Sequence, residues 1–96
     1  MAKITAEKLL EEVKKARNET GNFHDGRITV FINEIKQYLL SAGVPAAVLE
    51  TDEVVGVVAI GVDNLMEEGA LSDYFKQRAI QLRHAPVTKE ATENGA

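Results

Sequence analysis

One segment, Glu53 to Val62 (EVVGVVAIGV), constrains the fold more than any other. Its β-branched composition suits a buried strand, but a strand needs a partner. No other part of the chain alternates apolar and polar residues with a period of two or carries a hairpin turn, and a lone short strand is not stable in water. The segment is therefore predicted to be helical. Thr51 or Asp52 supplies an N-cap, and Val54, Val58, Val62 and Leu65 recur at helical spacing. Apolar on nearly every side, this helix belongs at the centre of an all-α fold. Gly56 and Gly61 each cost about 1 kcal/mol relative to alanine inside a helix. Both are expected to be packing positions, where a neighbouring helix comes close.

The flanking segments read as amphipathic helices. After Thr5 as N-cap, Ala6, Leu9, Leu10, Val13 and Ala16 share one face, and the helix is predicted to end near Arg17. Glu11 and Lys15 have the favourable i, i+4 order. Asn18 to Gly26 is a polar connection. Asp25 is expected to cap a second helix, with Ile28, Phe31, Ile32, Ile35, Leu39 and Ala42 on its inner stripe and Asn33, Glu34, Lys36 and Gln37 toward water. Gly43 stops it: a left-handed residue there places Val44 against Leu39, and Pro45 cannot continue the same helix. Pro45 to Glu50 then fits one short helical turn with proline at its first position. Ser72 caps a last helix with Leu71, Phe75, Ala79 and Leu82 inward, Lys76, Gln77, Arg83 and His84 near or beyond the rim, and Pro86 as its end. The expected architecture is a small bundle of about four helices plus a short helical turn. Residues 1–86 form a single domain, and 87–96, which lack an apolar period, form a flexible C-terminal tail.

Composition narrows the function classes. A chain of 96 residues supports one modest core, a size at which partners can matter to folding. There is no cysteine, hence no disulfide, thiolate metal ligand or thiol nucleophile. The charged N-terminus lacks the apolar core of a signal peptide. The longest uninterrupted apolar run, Val54 to Val62, falls well short of the roughly 18 residues that a membrane span needs. A net charge of −4 disfavours general affinity for nucleic acid. The distribution is uneven: residues 51–70 carry five acids and no base, whereas 71–85 carry Lys76, Arg78 and Arg83 against Asp73 alone.

Residues suited to catalysis are few. His24 beside Asp25 could form a base with its orienting carboxylate only if a third group and a pocket joined them; otherwise it is a loop histidine next to a helix start. His24 and His84 are sixty residues apart and give no metal-ligand spacing. The glycines match neither GxGxxG nor a GK[ST] loop. Helix, glycine turn and short helix around Ser41 to Leu49 have the outline of a helix-turn-helix, yet PAAVLE offers no side chain to read base edges or grip phosphate. No catalytic residue, cofactor or metal site is therefore assigned. Exposed Tyr74, Arg78 and Arg83, and the tail residues Val87, Thr88 and Lys89, read equally as solvated surface or as contacts for a partner, aromatics and arginine being common interface anchors.

Three blocks carry a resemblance: Glu34, Ile35, Lys36, Leu39, Ala42, Gly43 and Val44; then Gly56, Val57, Gly61, Val62 and Leu65; then Leu71, Ser72, Tyr74, Phe75, Arg78, Gln81 and Leu82. In this order and spacing the chain resembles the small head-tail connector (head completion) proteins of tailed bacteriophages, over just more than half its length. It departs from them at Met66 to Ala70, a short turn in place of an aromatic and a longer Gly-rich loop. The resemblance implies a non-enzymatic virion protein of the head-tail junction, made in the host cytoplasm. Such proteins form a homo-oligomeric ring of about twelve copies, which requires unlike faces of successive copies to meet. The implied partners are the portal protein and a stopper or tail-completion protein, with neither sequence-specific nucleic acid nor membrane. The principal alternative is a small helical DNA-binding or regulatory protein of phage or prophage origin.

Overall fold

The computed structural model describes residues 3–84. Among them are five α-helices: α1 (Ala6–Ala16), α2 (Asp25–Ser41), α3 (Ala46–Leu49), α4 (Val55–Glu67) and α5 (Asp73–Arg83), with a 3-10 turn at Asp52–Val54 leading into α4. No strand forms among the described residues. The one extended pairing is an isolated bridge between Lys3 and Thr51, where the Ile4 N–H donates to the Glu50 carbonyl at 2.9 Å. The tail from 87 to 96 lies outside the described residues.

The valine-rich segment is the central helix. Packed against α1, α2 and α5, α4 buries Val57, Val58, Ala59, Gly61 and Val62. Around it close Leu9 and Val13 of α1, Ile28, Ile32, Ile35 and Leu39 of α2, Val48 and Leu49 of α3, and Phe75, Ala79 and Leu82 of α5. Burial of so many β-branched side chains outweighs their weak helix propensity, which is a matter of tenths of a kcal/mol per residue. Gly61 sits where three helices meet. A Cβ there would come within 2.6 Å of Ile35 Cδ1 and 2.8 Å of Phe75 Cε1. Gly56, by contrast, is exposed, and the nearest atom to a Cβ would be Arg78 Nη2 at 3.5 Å.

Local capping fixes the ends. The Thr5 hydroxyl accepts the Lys8 N–H at 3.0 Å, and Ser72 Oγ accepts the Phe75 N–H at 3.1 Å. Gly43, with φ of 100°, ends α2 in a Schellman turn: the Val44 N–H reaches the Leu39 carbonyl at 2.9 Å and the Gly43 N–H reaches Leu40 at 3.1 Å. Buried Val44 completes the motif.

Three local expectations are corrected. Asp25 is the first residue of α2 and not its cap; His24 occupies that position and makes no side-chain cap bond. The Asp25 carboxylate is drawn instead to Lys14 Nζ at 2.8 Å, an ion pair joining α1 and α2, and the same oxygen accepts no aligned hydrogen bond. Pro45 is extended (φ −61°, ψ 140°), so it precedes α3 as N-cap and is not its first helical residue. Glu11 and Lys15 do not pair: Lys8 takes both Glu11 and Glu12, and Lys15 takes Glu12 at the i, i+3 distance.

Candidate interaction surface

The turn before α5 decides what that helix shows to solvent. Asn64 Oδ1 accepts both the Ser72 N–H at 3.0 Å and its hydroxyl at 2.8 Å, and Gly69 (φ 76°) reverses the chain. This sets Phe75 inward, fully buried, its ring 5.4 Å from that of Tyr38. Its neighbour Tyr74 then points out and is 57% exposed. Arg78, one turn on, donates to the Tyr74 hydroxyl at 3.3 Å and lies 5.9 Å from the ring centroid. Its guanidinium lies over Gly56, where a Cβ would stand in ordinary contact with Nη2 at 3.5 Å. Arg83 rests in the same way over Gly43, where a Cβ would meet its Nε at 3.0 Å.

Of the partner-contact candidates, the structure places Tyr74 and Arg78 together and Arg83 at the far end of the same helix. Val87, Thr88 and Lys89 lie outside the described residues. His24 and Asp25 are not a dyad: the His24 ring faces Glu19 Oε1 at 3.2 Å, while Asp25 faces Lys14. Among the described residues no group of three His, Asp or Glu side chains could hold a metal ion. No helix among them is long and apolar enough to cross a membrane.

Sequence reasoning missed the most connected polar residue. Arg17, the C-cap of α1, has a side chain only 10% exposed and meets three carboxylates: Glu19 at 3.0 Å, Asp63 at 2.7 Å and Glu67 at 3.1 Å. Burial pushes its pKa down, but hydrogen bonds to Glu19 and Glu67 with the charges of Glu19 and Asp63 more than offset this, and the net shift is upward. The only hint in the sequence was an arginine at the end of an apolar stripe. Its partners on α4 stand at i and i+4 of one helix face, so they converge on it. Two acids of the 51–70 stretch are thus neutralised by α1, not by α5.

Because Asp63 and Glu67 are more than half exposed, their pairs count for little individually. The packed stem of Arg17 adds to them. Arg17→Ala is expected to cost about 1–2 kcal/mol in urea unfolding, by lost packing and lost charge-assisted bonds together. A change within error would show that the cluster is incidental.

The Glu19 carboxyl is held below the usual range by hydrogen bonds from Arg17 and then from His24. A depressed folded pKa contributes stability that is present above the ordinary carboxylate value and lost as pH falls through the folded one. Acid melts of Glu19→Gln should therefore decline less steeply below the ordinary carboxylate range than those of the parent, and parallel curves would remove Glu19 from the account.

Comparison of the chain with protein-family models, with curated proteins and with solved structures gives no match.

Proposed function

We propose that the chain is a structural protein of the head-tail junction of a tailed bacteriophage or prophage. It acts as one subunit of a ring beneath the portal that extends the DNA channel and receives a stopper or tail component. It carries out no catalysis and takes no cofactor. One observation supports this reading above the others: the three sequence blocks behind the resemblance converge in space, Ile35 of the first and Phe75 of the third both closing on Gly61 of the second. Their spacing therefore has a packing reason within this chain. Exposed Tyr74, with half-buried Arg78 beside it, supplies the kind of anchor that a partner surface uses.

A subunit of this size with a modest interface associates weakly alone and gains avidity when a portal arrays many sites. The test is co-expression with the portal protein of the same genome. The chain is expected to co-sediment with portal rings, and Tyr74→Ala with Arg78→Ala, or loss of residues 87–96, is expected to weaken that recovery without altering the helical spectrum. Portal rings that recover none of the chain would defeat the proposal. In parallel, a short random DNA duplex should show no appreciable binding at physiological salt. Submicromolar binding with a steep salt slope would instead favour the DNA-binding alternative.

A further inference from the structure

The bases of α1 and of α5 differ in their partners; Arg27 and Lys36 of α2 also meet no carboxylate of the described residues within ion-pair distance, Arg27 lying over the Phe31 ring instead. Every base of α1 meets a carboxylate: Lys8 and Lys15 within the helix, Lys14 on Asp25, and Arg17 in its cluster. On α5, Lys76, Arg78 and Arg83 meet no carboxylate of the described residues within ion-pair distance. Arg78 is occupied by Tyr74; Lys76 and Arg83 are not. Between these two stands Ile80, 52% exposed. Positions 76, 80 and 83 share one strip of a helix, so an uncovered isoleucine lies between two exposed cations.

Elsewhere on the surface is a cleft of about 470 Å³ where the N-terminal segment and α1 meet the start of α4. Ile4 and Val55 give it an apolar wall, and Glu12 and Asp52 supply carboxylates. Its two lysines are already engaged, Lys3 on Glu50 and Lys8 on Glu11 and Glu12. Asp52 and the adjacent Glu53 meet no base of the described residues. An apolar wall beside uncompensated acids is the complement of an isoleucine between uncompensated bases.

We infer that Ile80, with Lys76 and Arg83 beside it, docks into this cleft on a second copy of the chain. The two surfaces cannot meet within one molecule. Arg78 faces Gly56 at the start of α4, and Ile80, two residues on, projects more than half a turn around the helix from it. Donor strip and acceptor cleft thus lie on different faces, and the contact is head-to-tail, the type that propagates to a ring. The inference rests on the ring-subunit reading and names its interface.

The absence of native cysteine makes disulfide capture clean. Ile80→Cys and Ile4→Cys, made as separate full-length variants, mixed at high concentration and mildly oxidised, should give a crosslinked heterodimer and nothing larger. The double variant should give a ladder. Ile4→Cys mixed with Val30→Cys, whose exposed α2 position lies outside both surfaces, sets the background. Lys76→Glu with Arg83→Glu in the Ile80→Cys partner should reduce capture to that background, and Asp52→Lys with Glu53→Lys in the Ile4→Cys partner should restore it. Capture no greater than background overturns the inference. So does self-crosslinking of Ile80→Cys as efficient as the mixture, which means a symmetric contact between α5 helices. Portal-bound rings that fail to crosslink would sink this interface and leave the ring reading intact; crosslinking without portal recruitment would do the reverse.

Discussion

Gly61→Leu is expected to destabilise the protein by about 3 kcal/mol or more, the upper range for overpacking a filled core. Helix propensity predicts the opposite sign, a gain approaching 1 kcal/mol. Space decides, because even a Cβ at 61 would stand 2.6 Å from Ile35 Cδ1 and 2.8 Å from Phe75 Cε1. The isoleucine methyl can rotate aside, but the buried phenyl edge cannot without moving α5. Gly56→Ala is the natural contrast. Its Cβ would make ordinary contact with Arg78 at 3.5 Å on an exposed face, so propensity should prevail and stability rise by up to about 1 kcal/mol. At roughly 4–8 °C per kcal/mol for a domain of this size, thermal melts separate the two glycines easily. Stabilisation by leucine at 61 would mean that the helices do not approach there.

Phe75→Ala should have an effect of similar or greater size, about 3–5 kcal/mol. Phe75 is the largest fully buried side chain, and its ring closes the gap between Gly61 and Tyr38. Against the few kcal/mol available to a small core, much of the population would unfold at ordinary temperature. Phe23, 90% exposed and in contact with little beyond the His24 ring edge, should tolerate alanine within about 0.5 kcal/mol. Urea titrations of the two variants test the assignment of inner and outer aromatics. A mild effect at 75 would mean that α5 is only loosely attached.

Features legible in the sequence were those set by residues close together along the chain. The Schellman stop at Gly43, the caps at Thr5 and Ser72, and the inner stripes of α2, α5 and the middle of α1, though not its exposed ends Ala6 and Ala16, all depend on neighbours within about one or two turns. Helix α4 was legible by exclusion, since its valines had no strand to pair with. The failures are of two kinds. Asp25 and Pro45 were each misplaced by one position: Asp25, suited to a cap, pairs with Lys14 and is the first helical residue, whereas Pro45, expected as the first helical residue, is extended and forms the cap. Arg17 was missed because its partners on α4 are 46 and 50 residues away. The surface strip of α5 was half legible, Tyr74 and Arg78 by type, while Ile80 became notable only once its neighbours proved to be without counter-charges.

That long reach of Arg17 also bears on the birth of the protein. During synthesis α1 leaves the ribosome before α4, and the carboxylates that meet Arg17 at its end, Asp63 and Glu67, follow some fifty residues later. Until α4 emerges, Leu9 and Val13 have only a partial wall to cover them. Closure of the core around α1 therefore depends on that later segment, and a chain cut short before α4 is expected to leave Leu9 and Val13 without their full covering.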